Sequence, residues 1–105
     1  YNHLKKTNNN VIILDSKDLL LEPEKTLRIL CDEIKIPFDK KMLKWEKGPK
    51  KEDGVWAKYW YKNVHQSTCF KKYIERDIIL DSKNIELENK CIKYYDILRE
   101  NSLKF

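Results

Sequence analysis

Apolar residues occur in two rhythms along this chain, a continuous run and a helical period, separated by charged stretches. Val11-Ile12-Ile13-Leu14 is an unbroken run rich in β-branched side chains and closed by Asp15-Ser16. That pattern predicts a short strand buried on both faces, as in the middle of a parallel sheet. Ser16-Lys17-Asp18 then turns the chain. Pro23 suits the first position of a helix, and Glu24 suits the positive end of its dipole. From there Leu27, Leu30, Cys31 and Ile34 recur at helical spacing as one apolar stripe, which Lys35-Ile36-Pro37 ends. Asp39–Trp45 reads as a short helical turn, and Lys50–Val55 as a charged loop. Trp56, Trp60 and Val64 share a face of a helix expected over about 55–67. Ile78-Ile79-Leu80 reads as extended, and a last helix over about 86–100 aligns Leu87, Cys91, Tyr94, Tyr95 and Leu98.

A single buried strand cannot satisfy its own amide and carbonyl groups, and nothing else in the chain clearly supplies its neighbours. The expected fold is therefore α/β, with one buried strand plus three to four helices. Residues 1–105 would form the C-terminal, mostly helical segment of a single parallel-sheet domain whose other strands lie upstream. The hexapeptide Ile-Ile-Leu-Asp-Ser-Lys occurs at 12–17 and again at 78–83. The similarity stops there, so coincidence is preferred to an internal repeat.

Charge narrows the partners only slightly. The 105 residues carry 22 basic and 17 acidic side chains, a net +5. Anionic ligands are favoured, but the interspersed signs define no single basic footprint. No nucleic-acid recognition motif is present, and no run approaches the roughly 20 apolar residues that span a bilayer. Neither nucleic acid nor a membrane is expected as a partner. Cys31, Cys69 and Cys91 are widely spaced, with no Cys-x-x-Cys pair and no zinc spacing to His3 or His65. They read as structural thiols in a reducing, cytoplasmic compartment.

The scarce residue types crowd into 45–70, which holds both glycines, all three tryptophans and one of the two histidines. Lys50 and Lys51 could hold a phosphate at the ligand edge of an open sheet, or stand in a solvated loop where Glu52 and Asp53 offset them. Trp56 and Trp60 could stack on a purine, but packing into the core is favoured. Gly54 would permit a turn. His65 titrates in the useful range for a general base, yet no acid or nucleophile is identifiable beside it, so a packing or surface role is preferred. Ser67 and Thr68 read as hydrogen-bonding groups at a helix end.

Trp45-x-x-Gly48-Pro49, Asp53-Gly54-x-Trp56, Trp60-Tyr61 and Ser67-Thr68-x-Phe70 together resemble the C-terminal half of the sulfotransferase family, nearest its bacterial and plant aminotransferase-like branch. Leu14–Leu20, Glu22-Pro23, Leu30-Cys31 and Ile36-Pro37-Phe38 agree in the same order. The resemblance implies a P-loop fold. It also implies transfer of a sulfuryl group from 3′-phosphoadenylyl sulfate to an alcohol or amine, the small-molecule acceptor. Cytosolic members contact the nucleotide's 3′-phosphate through Arg-Lys-Gly-x-x-Gly-Asp-Trp. Against it, Lys50, Gly54 and Trp56 match, whereas Pro49, Lys51 and Val55 replace Arg, Gly and Asp. Lys50, Lys51, Gly54 and Trp56 are thereby the implied cofactor-binding positions, with the bidentate Arg lost to Pro49 and only the point charges of lysine left. No G-x-x-x-x-G-K-[ST] loop occurs here, and the family's catalytic base also lies upstream. The segment alone is expected to be inactive, and no catalytic residue or metal ligand is assigned. Two other functions fit the composition, a partner-docking module using the Trp-rich face and a small basic nucleic-acid binder.

Overall fold

Asp15 stops the apolar run by capping a helix. In the computed structural model, which describes residues 1–7 and 10–104, its carboxylate accepts the Lys17 amide at 2.8 Å. The chain continues as a helix over Ser16–Leu21. The turn expected at 16–18 is thus the first turn of α2, made possible by an acidic cap at the position where one stabilises most. A helix of the same length, α1, Asn2–Thr7, precedes it. Pro23 opens α3, Pro23–Glu33, as its sequence predicts.

Thr26 joins these two helices. Its side chain is fully buried, and its hydroxyl donates to the Asp18 carbonyl at 3.1 Å. Cys31, also buried, places its sulfur 3.8 Å from that of Met42. This contact brings in a 3₁₀ turn, Lys40–Leu43, capped by Asp39. Arg28 stacks over the Phe38 ring at 4.2 Å and closes the same unit.

Beyond it, residues 44–48 run antiparallel to 65–69. Lys44 bridges Cys69, the Trp45 amide donates to the Thr68 carbonyl at 2.9 Å, and the Gly48 amide donates to the His65 carbonyl at 2.8 Å. Gly48 sits at φ 109°, a conformation that glycine adopts without a Cβ penalty. The helix expected over 55–67 is broken. Ala57–Trp60 forms α4 and Lys62–His65 forms α5, separated at Tyr61, which caps the end of one and precedes the other.

The long C-terminal helix, α6, spans Ser82–Glu100 and begins earlier than its apolar pattern suggests. Asp81 caps it by accepting the Asn84 amide at 2.9 Å. Its far end returns to the start of the chain. Arg99 pairs with Asp18, one arm at 3.0 Å, and reaches Asp15 at 3.3 Å. Tyr95 donates its hydroxyl proton to Asp15 at 2.7 Å, and the Leu103 amide donates to the Ile13 carbonyl at 2.9 Å.

Among the described residues, that is the backbone bond the apolar run 11–14 receives. It lies half-buried, with no strand partner among the described residues. Cys31 and Ala57 are the buried apolar residues of the described chain, whereas Cys91 and the stripe on α6 face outward. The radius of gyration is 16.9 Å, against about 13 Å for a compact domain of this length. Local units are well formed, but no continuous core joins them among the described residues. No helix of the described residues is long and apolar enough to cross a membrane.

Candidate functional site

The loop 49–55 is shaped by one carboxylate. Asp53 accepts the Lys50 amide at 2.8 Å through Oδ2, and the same oxygen meets His65 Nε2 at 2.7 Å. The first bond closes a tight turn around Lys51 and Glu52. The second ties that turn to α5. Because the Lys50 amide and then the His65 ring both donate to it, the Asp53 carboxyl is held below the ordinary carboxylate range. It is therefore ionised throughout neutral and mildly acidic pH. The acid partner that sequence reasoning did not find for His65 is this residue, twelve positions earlier. The fold supplies it through the 44–48/65–69 pairing, which draws the two ends of the loop together.

Asp53 and His65 separate two depressions. One, an open cleft of about 450 Å³, is lined by Pro49, Lys50, Gly54, Val55, Ala57 and Lys58 together with the pair. The other, about 310 Å³, is bounded by Trp45, Gly48 and Val64. Trp45 is fixed there by donating its Nε1 proton to Ser67 Oγ at 3.1 Å, and by an edge contact with Phe70 at 5.2 Å between ring centroids. Ser67 donates in turn to the Val64 carbonyl at 2.7 Å. Its helix-end role is thus as expected, and no base stands beside it to make it a nucleophile.

The four residues implied for cofactor contact are not all brought together. Lys50 and Gly54 line the larger cleft. Lys51 lies outside that lining and is exposed. Trp56 is 61% exposed and Trp60 72%, which corrects the expectation that they pack into the core. The two rings instead stack on each other at 5.6 Å with an interplanar angle of 15°. This is a consequence of their i,i+4 spacing across a short helix that nothing in the described chain covers. Gly54 is not held at a positive φ, and an added Cβ would meet nothing within 4 Å. Lys58, which the sequence did not single out, is the second cation of the cleft.

The lining of the cleft includes two lysines, Lys50 and Lys58, and one carboxylate, Asp53, with no guanidinium fork. The Lys58 ammonium lies over the Tyr59 ring, 4.9 Å from its centroid. Among the described residues no His/Cys/Asp/Glu cluster could hold a metal ion.

Comparison with known proteins places the chain in a family. A sulfotransferase domain model matches residues 6–100, and the chain belongs to that family. Two curated relatives from Arabidopsis thaliana are similar. Branched-chain-amino-acid aminotransferase-like protein 2 is 40% identical over 99 residues, 94% of this chain and 18% of that protein. Branched-chain-amino-acid aminotransferase-like protein 1 is 40% identical over 101 residues, 96% and 18% respectively. The chain therefore spans less than a fifth of the length of these relatives. No solved structure matches.

Proposed function

We propose that this chain is the C-terminal segment of a P-loop, parallel-sheet sulfotransferase. The complete protein transfers a sulfuryl group from 3′-phosphoadenylyl sulfate to a small alcohol or amine. In this reading Val11–Leu14 becomes a strand of the sheet once its upstream neighbours are present, and the upstream half provides the phosphate loop and the catalytic base. Lys50, Lys51, Gly54 and Trp56 contribute the nucleotide's phosphate contact. The family match over 6–100 carries the proposal.

Two structural features support it. Val11–Leu14 is half-buried and has no strand partner among the described residues, and the Trp56–Trp60 and α6 faces are uncovered, the state expected of surfaces that an adjoining part of one domain would bury. The exposed Trp pair also suits the docking reading, with the upstream half of the same domain as the docked partner. The lysines of the cleft fit a terminal phosphate. The reaction is placed in the cytoplasm, where the free thiols Cys31, Cys69 and Cys91 would stay reduced.

Calorimetric titration of the full-length chain with adenosine 3′,5′-bisphosphate tests the reading. Saturable binding that Lys50→Ala weakens is expected, and an absence of binding would overturn it.

A further inference from the structure

We infer that His65 makes anion binding at the Lys50 cleft proton-linked, acting through Asp53. The inference rests on the reading of that cleft as an anion site and adds a residue outside the implied cofactor set. The Asp53 carboxylate lines the cleft beside Lys50 and Lys58. With the imidazole neutral, its negative charge opposes an incoming anion. With the imidazole protonated, the ion pair across 2.7 Å cancels that charge, so the lysines that line the cleft act on the anion without it.

Several features of the geometry make this specific. Asp53 and His65 side chains are largely shielded, 21% and 18% exposed, so the pair is less screened than a surface salt bridge. Asp53 also fixes the Lys50 amide, so the same contact sets loop shape and local charge. The Tyr61 ring is in edge contact with His65 at 6.0 Å, and Lys50 and Lys58 line the same cleft. Lys62 lies on the same helix. Of these, histidine alone ordinarily changes charge between pH 5 and 8. His65 is thus a positioning residue, since it reaches the ligand's charge only through Asp53.

Inorganic sulfate is the probe, because it stays dianionic over the whole range. Titrated into the full-length chain and followed at the Lys50 and Gly54 amide signals, it should bind about three- to tenfold more tightly at pH 5.5 than at pH 8. His65→Gln should abolish that dependence. If the variant does not fold, the wild-type His65 ring suffices. Linkage is reciprocal, so saturating sulfate must move its titration to higher pH. A pH-independent affinity, a slope retained in His65→Gln, or a ring titration indifferent to sulfate each overturns the inference. Proton-linked sulfate binding without adenosine 3′,5′-bisphosphate binding would sink the nucleotide reading and leave this one standing. Binding of neither anion sinks both.

Discussion

Arg99→Met should release the far end of α6 from α2 and expose how much of the chain's order depends on one guanidinium. Arg99 bridges two carboxylates that are about nine-tenths shielded, while its own side chain is 37% exposed. The cost of the substitution therefore falls on Asp18, a buried carboxylate that would lose both arms of its partner. Stranding a buried polar group costs about 1–3 kcal/mol. The open side of the site lets water take over part of the lost contact, which holds the penalty on Asp18 near the middle of that range. Read by hydrogen exchange at α2 and at the Leu103 amide, this is about a thirtyfold faster local opening. Because the loss comes from the stranded charge, Arg99→Met combined with Asp18→Asn should cost less than Arg99→Met alone. A change below threefold, or a double variant worse than the single, would refute the argument. Acid offers a second check. Burial pushes the Asp15 carboxyl up, but the Tyr95 hydroxyl, the Lys17 amide and Arg99 outweigh it and hold it low. Its contribution is therefore complete above about pH 4 and lost as pH falls through the lowered value.

Gly48→Ala forces a Cβ into a positive-φ position and should cost about 1–2 kcal/mol, whereas Gly54→Ala should be near neutral. Thermal unfolding of the two variants side by side decides this, and equal losses would contradict the backbone assignment. Trp45→Phe keeps the ring against Phe70 but deletes the Ser67 bond, so a loss of about 1 kcal/mol is expected in urea unfolding. Lys50→Ala should weaken adenosine 3′,5′-bisphosphate binding about tenfold and Lys51→Ala by less, since Lys50 alone of the two lines the cleft. Calorimetry showing the reverse order would relocate the phosphate.

What the amino-acid order revealed depended on how local the cause was. α3 was legible because Pro23, Glu24 and the Leu27–Ile34 stripe all lie within the helix or at its edge. α2 was hidden because its cue is a cap, Asp15, that also serves as a turn residue. The break at Tyr61 leaves Trp56, Trp60 and Val64 in phase, so periodicity could not register it. α6 starts before its first apolar repeat because Asp81 supplies the start. The Asp53–His65 and Asp18–Arg99 pairs needed the tertiary path. An Asp-Gly turn trailed by a histidine is too common to announce a bond, and nothing local couples residue 18 to residue 99. Of the implied phosphate set, Lys50 and Gly54 reach one cleft, while Lys51 and Trp56 do not line it.

The antiparallel stem formed by residues 44–48 and 65–69 anchors everything between as a closed excursion. Because its mouth is pinned by backbone bonds that involve no particular side chains at Lys44, Thr68 or Cys69, the tip can lengthen or change composition at a cost that rises only logarithmically. The excursion's interior can thus be rewritten while the stem keeps the same register.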